Sequence, residues 1–128
     1  MTADLDRAWH GLHFLFTGTA DKGDLPAAFL YYGGEEIGPA GARLITAPEA
    51  RRIKDFVHSL SEDDLRERFA PARMDELEID PEGVWVRDGE AGFTSLLEGF
   101  ATLWAFTRDV VDARQGFVFE ISGGPGRL

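Results

Sequence analysis

The chain has 128 residues, a length that suits one domain and leaves no room for two. Its 44% hydrophobic content excludes a disordered chain, and the absence of cysteine excludes disulfides and thiolate metal sites. The formal net charge of −10 excludes a nucleic-acid binder of the usual kind, because such proteins neutralise phosphates with lysine and arginine.

Two further features of the composition bear on location and partners. No apolar run approaches the roughly 20 residues of a membrane span, and the N-terminus is acidic where a secretory signal is basic. These features predict a cytoplasmic protein that is not bound to a membrane. The acidity favours basic protein partners, although it would equally serve to keep the chain soluble.

The first part of the chain predicts two helices. Apolar residues recur at helical spacing from Leu5 to Phe16, and Gly18 is a natural stop. A polar turn follows, and a short helix through Pro26 to Tyr31 is expected to end at Gly33. The glycine-rich stretch from Gly33 to Gly41 predicts a loop.

The middle of the chain carries two helix-start signals after a short strand at Arg43 to Ile45. Thr46 with Glu49, and Ser61 with Asp64, have the three-residue spacing of capping pairs. Two helices are therefore expected to begin there. A further strand is predicted at Val84 to Val86.

The last part predicts a long amphipathic helix, with an apolar stripe from Phe93 through Trp104 to Val111. Gly116 is expected to end it, and Phe117 to Ile121 to form a final strand. The fold class predicted is α+β, mostly helical, with a small sheet of two or three short strands. Residues 1–121 are expected to form a single domain, and residues 122–128 a flexible tail.

The segment from Trp9 to Gly18 reads Trp-His-Gly-Leu-His-Phe-Leu-Phe-Thr-Gly. The combination of a tryptophan, a Leu-His pair and a Thr-Gly resembles the signature of the YfbM-like family, whose members are domains of unknown function. Weaker matches follow in the family's order: Gly33-Gly34, Ile37-Gly38, Gly41, Arg43-Leu44, Pro48, the Met74 region, Ile79, Pro81, Trp85 and Gly116. The resemblance covers the chain from about Leu5 to Ile121.

The resemblance implies an α+β fold and brings no established activity or cofactor, and we expect no cofactor. Family members usually carry a strand and a helix before the tryptophan segment, and that unit is absent ahead of Trp9. Its absence predicts an uncovered face through which the chain could form a homo-oligomer. Asp80 is a second departure, because similar sequences often have tyrosine there.

Four polar residues match the family pattern and form the candidate ligand-binding site: His13, Thr17, Tyr32 and Arg43. The arginine could hold a carboxylate or phosphate through its guanidinium group. Thr17 lies four residues after His13, a spacing that would let the histidine activate a threonine nucleophile. The alternative is that His13 is a buried core histidine whose nitrogens are bonded by backbone or Thr17, and that Arg43 is a surface or capping residue.

His10 and His13 are spaced for two ligands of one metal, with Glu35 or Glu36 as a third, but no supporting motif accompanies them, and we predict no metal site. No catalytic residue can be named, so an enzyme is the less favoured class. Two hypotheses remain: a non-enzymatic protein that binds a macromolecular, basic protein partner as immunity and antitoxin proteins do, and a small-ligand binder or enzyme using the four polar residues.

Overall fold

The computed structural model describes residues 3–5, 7–38 and 41–120. These residues form seven helices and three strands. In chain order they are α1 (Trp9–Thr17), α2 (Phe29–Tyr32), β1 (Glu35–Ile37), β2 (Ala42–Ile45), α3 (Ala47–His58), α4 (Glu62–Arg68), α5 (Pro71–Glu76), α6 (Trp85–Asp88), α7 (Glu90–Asp112) and β3 (Phe117–Phe119). The predicted α+β class is confirmed.

α1 is the central helix, and it is buried on almost every side. It begins at Trp9 rather than Leu5, because the preceding residues form a turn in which the Ala8 N–H donates to the Leu5 carbonyl at 2.9 Å. Gly18 ends the helix as predicted, with a φ of 76° that glycine adopts without strain. The buried position of α1 explains why its sequence is apolar all round rather than on one stripe.

Both predicted capping signals are confirmed. The Thr46 hydroxyl accepts a hydrogen bond from the Glu49 N–H at 3.4 Å, at the start of α3. At the start of α4, the Ser61 hydroxyl accepts from the Asp64 N–H at 3.1 Å, and the Asp64 carboxylate accepts from the Ser61 N–H at 2.9 Å. Local side chains therefore fix where these two helices begin.

α7 is the long helix that the sequence predicted, and it packs against α3 and α1. Phe93 and Leu103 are buried in the core as expected. Trp104 is the exception, because 36% of it is exposed. Its ring stacks on His58 of α3, with 4.0 Å between ring centroids, so it covers the edge of the α3–α7 contact instead of entering the core.

The sheet is antiparallel, with the order β1-β2-β3. Ile45 of β2 lies opposite Phe117 of β3, and both face the core together with Phe119. The prediction of a loop over residues 33–41 was wrong for Glu35–Ile37, since β2 supplies a pairing edge that the sequence does not display. The long helix followed by a final strand is confirmed; Ile121 and the predicted tail lie outside the described residues.

The predicted strand at Val84–Val86 was wrong, because α6 occupies this position. The N–H groups of Trp85 and Val86 donate to the two carboxylate oxygens of Asp75, at 2.9 and 3.0 Å. The Trp85 indole N–H donates to the Ile79 carbonyl at 2.9 Å. These long-range bonds favour a helical turn in a β-branched segment.

Among the residues described, no helix combines the length and the apolarity needed to cross a bilayer.

Candidate functional site

His13 lies inside the protein, with no exposed surface. Its Nε2 donates to the Lys22 carbonyl at 3.0 Å, because a carbonyl can only accept. Its Nδ1 has no hydrogen-bond partner among the described residues. Burial lowers the pKa of His13 to about 4, because a buried imidazolium loses its hydration. The side chain is therefore neutral at physiological pH.

His10 lies one helical turn before His13 and is held at both ring nitrogens. Its Nδ1 accepts from the Asp80 N–H at 3.0 Å, and its Nε2 donates to the Ala20 carbonyl at 2.9 Å. The two contacts orient the ring so that Nδ1 accepts and Nε2 donates. His10 thus ties α1 to the loops on either side of it.

The Thr17 hydroxyl makes no hydrogen bond with the imidazole of His13. Its hydroxyl donates to the His13 main-chain carbonyl at 2.9 Å, the common bond of a threonine near a helix end. Thr19 lies next to it, with 3.1 Å between the two hydroxyl oxygens. The arrangement of a base hydrogen-bonded to a hydroxyl nucleophile is not formed.

Tyr32 and Arg43 also bond to the main chain. The Tyr32 hydroxyl donates to the Asp21 carbonyl, and the Arg43 guanidinium donates to the Tyr31 carbonyl. Arg43 is half-buried in the middle strand, opposite Phe119 of β3. One nitrogen of its guanidinium group is thus used to hold α2 against β2.

Tyr31 is the residue that brings this cluster together, and sequence analysis missed it. Its ring centroid lies 4.8 Å from that of His13 and 5.3 Å from that of Tyr32, while its carbonyl accepts from Arg43. Burial raises the pKa of the Tyr31 hydroxyl. Its position beside Tyr32 and two residues before a glycine pair gave no signal of this role.

The cluster offers little for catalysis or metal binding. Nε2 of His10 and Nε2 of His13 donate to different carbonyls, so the two rings do not share a ligand position. Throughout the described residues, no three His, Asp or Glu side chains come close enough to hold a metal. The polar atoms act mainly to join α1, α2 and the turn between them. A ligand-binding role for His13, Thr17, Tyr32 and Arg43 stays a prediction.

A groove with a volume of about 360 Å³ lies elsewhere, between the N-terminal segment, α6 and α7. Its floor includes Trp85, Leu96 and Gly99, and the carboxylates of Asp88 and Glu98 contribute to its rim. The four predicted ligand-binding residues do not line this groove.

The solvent side of the sheet is the third feature, and we call it the outer sheet face. It comprises Glu35, Ile37, Ala42, Leu44 and Val118, which share a side of the sheet by cross-strand register and by alternation. Exposed fractions are 42% for Ile37, 39% for Leu44 and 54% for Val118. An apolar surface is therefore present on the side of the sheet that does not face the core.

Comparison with known families matches residues 1–120 to a family described as a domain of unknown function, DUF1877. The chain belongs to the DUF1877 family. This assignment confirms the resemblance drawn from the segment Trp9 to Gly18, and it attaches no activity to that segment. No curated protein matches the chain.

The fold of this DUF1877 protein is similar to a crystal structure of YfbM, a protein of unknown function from Escherichia coli. The two share 23% sequence identity with a TM-score of 0.71, over 86% of this chain and 73% of that one. At this identity the similarity establishes a common fold.

Proposed function

We propose that this DUF1877 protein is a non-enzymatic binding protein whose partner is a basic protein, a role of the kind that immunity and antitoxin proteins have. The observation that carries the proposal is the excess of acidic over basic residues, together with exposed carboxylates that form no ion pair with a described residue. The sequence has 23 acidic and 13 basic residues. Ion pairs with Lys or Arg engage Asp55, Glu62, Asp80, Glu76, Asp88, Glu90 and Asp109.

Other exposed carboxylates, such as those of Glu35, Glu36 and Glu120, form no ion pair with a described residue. Unpaired surface charge of one sign raises the local concentration of oppositely charged partners and accelerates their association. The binding is expected to weaken as salt increases, because the Debye length falls from about 10 Å at 0.1 M to about 3 Å at 1 M.

The alternative, a small-ligand binder or enzyme near His13, Thr17, Tyr32 and Arg43, is less well supported. A ligand there would have to replace hydrogen bonds that these side chains make with main-chain carbonyls. Breaking such bonds costs free energy, which the ligand's own contacts would have to offset. The polar cluster is therefore a weaker basis for function than the charged surface.

Affinity purification from cells that naturally express the protein tests the proposal. The tagged chain is washed at 50 mM and then at 500 mM NaCl, and an unrelated acidic protein of similar size and charge serves as the control bait. We expect a near-stoichiometric basic protein that the control bait does not retain and that high salt releases. Retention of no basic protein, or of one that both baits bind equally, contradicts the proposal.

A further inference from the structure

The sheet has two unlike sides, and the fold requires only one of them to be apolar. The inner side carries Ile45 and Phe117, which pack into the core. The outer sheet face needs strand-forming residues, and threonine would meet that need as well as valine or isoleucine. Instead, this side presents Ile37, Leu44 and Val118 to solvent. The apolar side chains are therefore not explained by folding alone.

The three exposed side chains are neighbours rather than scattered. Leu44 in the middle strand lies directly opposite Val118 on one side, and opposite Glu35 on the other. Ile37 pairs with Ala42 and so is diagonal to Leu44. Directly opposite and diagonal positions in a sheet lie within contact range. The outer sheet face thus forms one apolar strip across all three strands, and contiguous exposed strips of this kind mark interaction sites.

Carboxylates border this strip. Glu35 lies on the outer sheet face itself, and Glu120 is exposed directly after β3. The nearest cationic side chain in these strands, Arg43, alternates to the opposite side and donates to the Tyr31 carbonyl. An apolar centre with a charged rim is the usual anatomy of a protein interface.

We infer that the outer sheet face is the docking surface for the basic partner. The partner places an apolar patch, flanked by lysine or arginine, against Leu44 and its neighbours. The inference rests on the proposed function and specifies where the partner binds. Charge complementarity argues against a second copy of this chain, because it would bring another net charge of −10 and the same carboxylates to the contact. The same charge complementarity predicts that the basic partner carries cationic residues around its apolar patch.

The edges of the sheet favour docking onto the face over addition of a strand. β1 is three residues long, two of which are glutamates, and short charged edge strands resist pairing with other chains. Main-chain pairing at the β1 edge would leave Val118, on the opposite edge strand, without a role, and pairing at the β3 edge would leave Ile37 without one. Face-on docking uses all three apolar side chains.

Substitutions by threonine test the inference against the purified partner. Leu44→Thr with Val118→Thr removes apolar contact while keeping strand-forming residues and the net charge. The matched control is Val86→Thr, at a valine of α6 that is 59% exposed, compared with 54% for Val118. We expect the double variant to raise the Kd for the basic protein at least about tenfold, and the control to change it less than twofold.

Charge variants add a kinetic readout. Glu35→Gln with Glu120→Gln is expected to lower the association rate and its salt dependence, whereas Glu67→Gln on α4 should leave both unchanged. Circular dichroism and thermal unfolding establish that each variant is folded.

The outcomes separate the site from the function. Wild-type affinity in the Leu44→Thr, Val118→Thr variant overturns the docking surface and leaves the proposed function standing. Failure to recover any basic partner with the wild-type chain overturns both. Sedimentation of the chain alone is the remaining arm: a dimer that this variant dissociates shows that a second copy occupies the face, and this also overturns the inference.

Discussion

His13 is the residue whose chemistry is most constrained by the fold. It has no exposed surface, and one of its nitrogens donates to a main-chain carbonyl. The other nitrogen has no partner in the part of the chain that the structure describes. Adding a proton to Nδ1 would create a buried charge without a hydrogen-bond acceptor, which proteins avoid. The segment Trp9–Thr17 is therefore built around a neutral imidazole.

We expect this residue to make the protein sensitive to acid. The pKa of His13 is about 4 in the folded protein and about 6.5 in an unfolded chain, so the unfolded state binds the proton first. The contribution of His13 to the free energy of unfolding is fully present above pH 6.5 and is lost as the pH falls towards 4. The loss between pH 7.5 and pH 5 is about 2 kcal/mol. Urea unfolding at the two pH values measures it.

His13→Leu is the control for the other groups that titrate in the same range. It gives up the hydrogen bond to Lys22, whose carbonyl still accepts from the Thr19 hydroxyl at 2.7 Å. The free energy of unfolding of the variant should be lower than that of wild type at pH 7.5. Between pH 7.5 and pH 5, however, it should fall by about 2 kcal/mol less than that of wild type. An equal loss in both proteins would show that His13 does not carry the effect.

At the scale of elements, the contact between α7 and the start of α1 depends on a missing side chain. A Cβ placed on Gly99 would lie 2.7 Å from the Cβ of Ala8. Gly99→Ala should therefore destabilise the protein by about 1–3 kcal/mol, even though alanine is the better helix former by about 1 kcal/mol. Urea unfolding gives the free energy.

Two further variants distinguish packing from helix propensity. Ala101→Gly, at an exposed site of the same helix, should cost about 1 kcal/mol because no contact opposes propensity there. Ala8→Gly combined with Gly99→Ala should recover most of the loss, since it removes the opposing methyl group. A higher stability for Gly99→Ala alone would contradict this account of the contact.

The elements that could be predicted from sequence are those with local signals. Thr46 and Ser61 mark helix starts through bonds to residues three positions away, and the apolar stripe of α7 repeats over many turns. β1 and α6 could not be predicted, because each depends on a distant partner: β2 for the first and the Asp75 carboxylate for the second. Local patterns carry no information about such partners.

The same distinction between local signals and distant partners applies to the candidate site. His13 is a core histidine with one ring nitrogen bonded to main chain, as the alternative interpretation predicted, but its Nδ1 has no partner among the described residues. Contacts with Tyr31 bring His13, Tyr32 and Arg43 together, whereas Thr17 bonds to the His13 carbonyl and to Thr19. Tyr31 at the centre and Lys22 as the acceptor were missed, since the positions of α2 and of the turn before it are set by tertiary packing. The outer sheet face was missed because it requires the register of three strands.

At the scale of the whole molecule, the charge of −10 opposes compactness. The ion pairs that offset it are exposed, and exposed pairs contribute little. We therefore expect the Tm to rise by several degrees between 10 mM and 300 mM NaCl at pH 7.5, because screening weakens repulsion among carboxylates more than it weakens the few attractive pairs. Differential scanning calorimetry measures the shift.

A charge variant separates screening from general salt effects. Glu36→Gln with Glu120→Gln, both exposed and without ion pairs to described residues, should raise the Tm at 10 mM NaCl and reduce its rise with salt. A Tm that falls as salt is added would mean that attractive pairs outweigh repulsion in this fold.

The order of strands in the sheet has a consequence for how the chain is made. β1 and β2 are synthesised early, but β2 completes its pairing only with β3, the last of the described elements to leave the ribosome. Until then Ile45 lacks Phe117, its neighbour across the strands. The edge of β2 that receives β3 therefore stays unpaired until α7 has been synthesised, and β3 then completes the three-stranded sheet.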